Sequence, residues 1–244
     1  DLIVSATGRP VRSNEDLTAA IQAAGGAPLT VVYRRSGARY TATLTPTADE
    51  NGHYKAGVWV RDSGAGIGTM SFVDPQRGTF AGLGHSISDA DTGADLTLLS
   101  GEIVPVTITG CIRGAAGSPG ELRGEFAAAP AGTVLANDAA GVYGSYTGSC
   151  TAPALPVANL QEVTPGEAEL WTTVLGTTAQ PYTIQVERVT MTGSDPNRNL
   201  LIRVTDKRLL DATGGVVQGM SGSPIVQNGR LAAVLTHVLV NDPS

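Results

Sequence analysis

The sequence predicts a mainly β protein preceded by a small α+β segment. Three observations carry this reading. From Tyr54 onward, short apolar runs broken by glycine recur about every ten residues, the spacing of a barrel or sandwich and not of alternating βα units. The 244-residue chain holds 31 Gly and 14 Pro, enough turn formers for many short strands. The first 50 residues differ in texture, because one helical pattern sits there among strand-like runs.

That opening segment reads as a strand over 2–5, a turn at Gly8-Arg9-Pro10, a helix, and a hairpin over 29–34 and 40–44 joined by Ser36-Gly37. Ser13 is the expected N-cap, with Glu15 and Asp16 in the first turn and Gly25-Gly26 ending the helix. Leu17, Ala20, Ile21 and Ala24 share one apolar face. A linker follows at 49–52, which divides the chain into domains 1–50 and 51–244. In the second, strands are expected over 57–60, 103–108, 132–135, 170–175, 182–189, 200–204 and 225–235, with loops at 127–131 and 151–156 between elements or between two β lobes. The glycine-rich stretch 114–121 reads as a turn, since no strand-then-helix pattern surrounds it to make a phosphate cradle.

Composition narrows the function. Hydrophobic residues are 41% and charged residues 16%, the balance of a folded chain. A net charge of −6 offers no basic face to a phosphate backbone, so nucleic acid is not an expected partner. No run approaches the roughly 18 apolar residues that span a bilayer. Asp1 opens directly on a strand-like run and Ser244 follows no closing element, so the chain reads as a piece of a longer protein. The two cysteines, Cys111 and Cys150, lack CxxC spacing for zinc or redox work. Both lie beside glycine-rich turns, where a bridge and two free thiols are equally open readings.

The sharpest chemical signal is Gly219-Met220-Ser221-Gly222-Ser223-Pro224, followed by an apolar strand. A nucleophilic serine needs its hydroxyl on a tight turn with backbone N–H groups facing the developing oxyanion, and flanking glycines permit that turn. Ser221 is the candidate nucleophile, and the N–H groups of Gly219 and Ser221 the candidate oxyanion hole. A glycine-rich loop before a strand would look similar, so the motif needs a base to accompany it. Among the three histidines, His53 lies in a polar linker and reads as a solvated loop residue. His85, in 80–89, stands far upstream of Ser221, the chain order His before Ser of trypsin-like enzymes. His237, on the strand after the serine loop, is the candidate for shaping a substrate pocket, or else satisfies a core hydrogen bond. For the acid, Asp206 follows an apolar strand fifteen residues before Ser221; a surface pair with Lys207 is the plainer reading of it. Asp89, Asp91 and Asp95 are alternatives, although a carboxylate so close to the histidine usually caps a turn. No nucleotide-binding, zinc-protease or calcium motif occurs, and no metal or other cofactor is expected.

Together, the segments 57–62, 64–69, 81–89 and 213–225, with the ending 236–243, resemble the stage IV sporulation protein B peptidase family over nearly everything from Tyr54 to Ser244. The resemblance implies a trypsin-like double β-barrel serine endopeptidase without a cofactor, with His85, Asp206 and Ser221 as its catalytic residues. It also implies export into the space between forespore and mother cell, tethered by a segment not in this chain. The implied partners are a membrane-bound regulator of an intramembrane protease, whose cleavage releases a late sigma factor, and the enzyme itself. The opening segment, from Asp1-Leu2-Ile3-Val4 through Leu44-Thr45-Pro46, resembles the later part of a PDZ domain lacking its ligand-pairing strand. Two other readings stand beside this one: a catalytically silent protease-fold binding protein, and a general exported quality-control protease. The latter usually carries PDZ after its protease, the reverse of the order here.

Overall fold

The structure is a computed structural model that describes residues 1–61, 64–89, 93–191 and 198–239. Asp62, Asp91 and the motif ending at 240–243 lie outside the described residues. The chain forms two compact units, Asp1–Ala65 and Gly66–Ser244.

The first unit contains β1 (Leu2–Ala6), β2 (Arg9–Pro10), α1 (Asn14–Ala24), β3 (Leu29–Arg35), β4 (Ala38–Leu44), β5 (Thr47–Ala48) and β6 (Tyr54–Lys55). Its main sheet has the order β2-β1-β3-β4 with antiparallel neighbours. As expected, Ser13 caps α1 by accepting from Asp16 N, and Gly25 closes it in the left-handed region. Ser36 and Gly37 both take positive φ in the hairpin, at 48° and 82°, which matches the twist of a two-residue turn. Leu17 and Ile21 bury the helix stripe against Ala6, Leu29 and Val31. Tyr54, Ala56 and Val60 pack onto the same core. The compact unit therefore runs to residue 65, although the change in sequence texture falls near residue 50. Residues 57–60 are not a strand as expected; they pair with no sheet, and Trp59 is fully exposed.

The second unit begins with β7 (Met70–Asp74), β8 (Thr79–Gly82), β9 (Glu102–Ile103), β10 (Val106–Ile112), β11 (Glu121–Phe126), β12 (Gly132–Asp138) and β13 (Gly141–Tyr146). It continues with β14 (Gly166–Thr172), β15 (Gln180–Val189), β16 (Leu200–Val204), α2 (Lys207–Thr213), β17 (Pro224–Gln227) and β18 (Arg230–Val234). Among the described residues these strands make two five-stranded sheets, β7-β8-β13-β12-β9 and β16-β15-β14-β17-β18, plus the hairpin β10-β11. Every pairing between neighbours is antiparallel. The run expected over 103–108 is split into β9 and β10 around Pro105, which has no N–H to give a ladder. The run 225–235 is split by the Asn228-Gly229 turn, both residues at positive φ. The larger core lies on the second sheet, around Leu170, Ile184, Val186, Leu209 and Met220.

The short helix α2 is absent from the sequence reading, yet its ends are marked. Asp206 caps its N-terminus and Gly214 its C-terminus. Its buried residues, Leu209 and Thr213, lie four apart, the spacing of one helix face.

Candidate active site

The serine loop is the connection from α2 to β17, and its shape is fixed from several sides. At its start, the buried Thr213 hydroxyl reaches Leu209 O at 2.9 Å and Gly215 O at 2.6 Å, tightening the helix exit. The β10-β11 hairpin clasps the middle, with Gln218 N donating to Gly120 O and Leu122 N to Gln218 O. Met220 is fully buried and plugs the loop into the core. Thr69 staples the far side: its N–H donates to Ser221 O at 2.8 Å and its hydroxyl to Gly219 O at 3.1 Å.

This arrangement governs the backbone donors around Ser221. Met220 N is taken by Val217 O, Gly222 N by Leu235 O and Ser223 N by Met220 O. Among the described residues, no acceptor takes the N–H of Gly219 or of Ser221. Two unspent backbone donors flank the serine, as an anion-stabilising turn requires. The Ser221 hydroxyl itself donates to Thr236 O at 3.5 Å, a long contact that holds it weakly.

His85 follows β8 on a turn pressed against the serine half. Gly222, at φ +92°, lies so close to this turn that a Cβ there would sit 2.1 Å from Thr69 O and 2.5 Å from Leu83 N. Gly84, at φ +71°, meets the end of β18 and the irregular segment after it, where His237 lies instead of on the expected strand: a Cβ would lie 2.9 Å from Val234 Cγ2 and 2.7 Å from Thr236 Cγ2. Glycine permits these two approaches, which set Leu83 against Gly222 and Gly84 against Val234 and Thr236. Leu83 between them takes φ +67°, a strained value for a branched side chain and one that persists only where packing enforces it. The His85 ring is half-buried and lies 5.9 Å from the His237 ring, centroid to centroid.

Next to Ser221 is a cavity of about 220 Å³, walled by Val216, Val217, Leu235, Val238 and His237. Its lining is chiefly apolar, and His237 stands at its exposed side with Nδ1 2.8 Å from Thr236 Oγ1.

The structure thus sets the His85 ring beside the His237 ring, and His237 and Ser221 on one cavity wall; among the described residues no hydrogen bond joins His85 to Ser221. Among the described residues no hydrogen bond or ion pair joins Asp206 to His85. One Asp206 oxygen accepts from Arg208 N at 2.8 Å and the other from Thr183 N at 3.3 Å, while the Arg208 guanidinium pairs with the carboxylate at 2.7 Å. That guanidinium, with the two backbone donors, lowers the Asp206 pKa to about 2 against the burial that opposes it. Its ion-pair partner is Arg208, whereas Lys207 pairs with Asp211. Asp95 accepts from the hydroxyls of Ser86 and Ser88, which lower its pKa, and so closes a turn as a carboxylate at that spacing is expected to. His53 lies in an exposed turn beside Asp49. Cys111 and Cys150 are free thiols, and burial raises the Cys111 pKa, which keeps it protonated and unreactive. Among the described residues no cluster of metal-ligating side chains occurs.

Thr69 lies in the segment 64–69 that carries the family resemblance, but the sequence assigns it no role, because nothing local reveals a staple reaching across 150 residues.

Comparison with curated proteins and with solved structures returned no match. A family model described as SpoIVB peptidase S55 matches residues 52–244. The match spans both sheets of the second unit and takes in His85, Ser221 and the loops that hold them, and on that ground the chain belongs to the SpoIVB peptidase family and is a serine peptidase, a hydrolase.

Proposed function

We propose that this peptidase is a trypsin-like endopeptidase working through an acyl-enzyme, with Ser221 as nucleophile and His85 as general base. Ser221 Oγ attacks the scissile carbonyl carbon as His85 Nε2 takes its proton. The oxyanion forms against the N–H groups of Gly219 and Ser221. The C–N bond then breaks as the proton passes from Nε2 to the leaving amine, leaving an ester on Ser221. Water, deprotonated by Nε2, adds to that ester; the ester C–O bond breaks and the proton returns to Ser221 Oγ, freeing the new carboxyl end.

The observation that carries this reading is the pair of uncommitted N–H groups at Gly219 and Ser221, on a loop whose neighbouring N–H groups are all spent. The cavity beside them is the pocket for the side chain preceding the scissile bond, with His237 on its wall. Its apolar lining favours a medium-sized apolar residue there. The two sheets of the second unit are the two lobes of the double barrel, and the first unit is the later part of a PDZ-like module, a sheet with one helix across it.

The biological role follows the family. The enzyme cleaves itself and a membrane-bound regulator of an intramembrane protease, in the space between forespore and mother cell, and so triggers release of a late sigma factor. Among the described residues no helix is long and apolar enough to cross a membrane.

Labelling with a fluorophosphonate probe tests the chemistry. Mass spectrometry is expected to find the adduct on Ser221, with none on Ser221→Ala and at least about a hundredfold slower labelling on His85→Ala. An adduct elsewhere, or undiminished labelling of His85→Ala, would overturn the assignment.

A further inference from the structure

We infer that the peptide group joining Ser86 to Ile87, held by Asn137, orients the His85 ring. The inference rests on the reading of His85 as general base and asks what holds its ring.

His85 Nδ1 lies 2.7 Å from Ser86 O. A carbonyl oxygen only accepts, so Nδ1 carries the proton and, in the neutral ring, Nε2 keeps the lone pair. That is the tautomer a general base needs, and an acid normally secures it. Among the described residues this is the ring's only hydrogen bond. Asp206 is committed to Arg208 and Thr183 instead.

The Ser86 carbonyl does not hold its direction unaided. It shares one planar peptide group with Ile87 N–H, so fixing the N–H fixes the carbonyl on the opposite side. Asn137, near the end of β12, accepts from Ile87 N with its Oδ1 at 2.7 Å. Its Nδ2 donates to Ile87 O and to Leu96 O, each at 3.0 Å. One side-chain amide therefore clamps both polar groups of Ile87 and ties them to the neighbouring segment at Leu96. Asp95 adds a second hold by accepting from the Ser86 hydroxyl. The resulting line runs from Asn137 Oδ1 through the 86–87 peptide to His85 Nδ1–H, and each hydrogen bond polarises the next. Asn137 is a positioning residue, since it reaches the reacting atoms only through this peptide.

The test is ¹⁵N NMR of histidine-labelled full chain, at a pH about two units above the ordinary imidazole pKa, together with the rate of fluorophosphonate labelling. The expected wild-type signal is a His85 ring protonated at Nδ1. Asn137→Ala is expected to give mixed tautomers and labelling about 10- to 100-fold slower. Asn137→Asp, which keeps the accepting oxygen, is expected to retain the Nδ1–H tautomer, and so is Asp206→Asn. A wild-type ring protonated at Nε2, an unchanged tautomer in folded Asn137→Ala, or loss of the tautomer in Asp206→Asn would each overturn the inference. Should Asn137→Ala not fold, the wild-type, Asn137→Asp and Asp206→Asn spectra still decide. Failure of the underlying reading looks different, because labelling would then survive in Ser221→Ala whatever the tautomer of His85.

Discussion

The two halves of the peptidase unit hold their chemical groups by different means. The loop of Ser221 adds deep apolar packing to its hydrogen bonds: among the described residues, the core on its sheet joins fourteen buried residues, Met220 of the serine loop included. The sheet that carries His85 has a core of three, Phe80, Val134 and Val142. On that side, order comes from polar clamps, chiefly the Asn137 amide on Ile87 and the Asp95 carboxylate on the serine hydroxyls. Packing is non-directional and resists displacement, whereas hydrogen bonds set an angle. A nucleophile on a rigid turn needs the first, and an imidazole that must keep one nitrogen free needs the second.

The most severe way to break this division is at the contact between the halves. Gly222→Ala would drive a Cβ into Thr69 O and the Leu83 backbone, at a φ that L residues avoid. We expect a loss of about 4 kcal/mol or more and no fluorophosphonate labelling, read by urea unfolding and mass spectrometry. A stable, labelled variant would mean that the two turns do not pack as described.

A second comparison sharpens the contrast in cores. Leu170→Ala, at a fully buried position of the serine sheet, is expected to cost about 3 kcal/mol, and Val134→Ala in the histidine sheet about 1 kcal/mol. Equal costs in urea unfolding would show that the thin core is as tightly packed as the thick one.

The smallest expected effect concerns acid. The folded Asp206 carboxylate titrates at about 2, below the ordinary 3.8. Its stabilisation is therefore complete above about pH 4 and is lost as pH falls through 2. Asp206→Asn keeps an N-capping side chain but removes the charge that pairs with Arg208, so stability falls at neutral pH and the slope of stability against pH flattens between 4 and 2. An unchanged slope in thermal unfolding across that window would sink the assignment of this carboxylate to the α2 cap.

Much of this was legible in the chain. The ends of α1 were marked by Ser13 and Gly25, the hairpins by Ser36-Gly37 and Asn228-Gly229, and the tight turn at Ser221 by the glycines around it, all features whose cause lies within a few residues. The position of Asp206 before Lys207 and Arg208, with Gly214 eight residues on, already has the form of a helix cap. Residues 57–60 form a short apolar run of the kind a strand has, without a partner strand to complete it. Asn137 carried no signal, since its meaning depends on the β12 register and on a loop fifty residues earlier in the chain.

By itself the sequence determined which groups are available for chemistry and where the backbone must turn, because side-chain type and glycine or proline conformation act locally. Tertiary structure alone decided which groups meet. The Thr69 staple, the Gly84 and Gly222 approaches and the Asn137 clamp all join residues far apart in the chain, and each exists only once sheet register and core packing have set the distance between them.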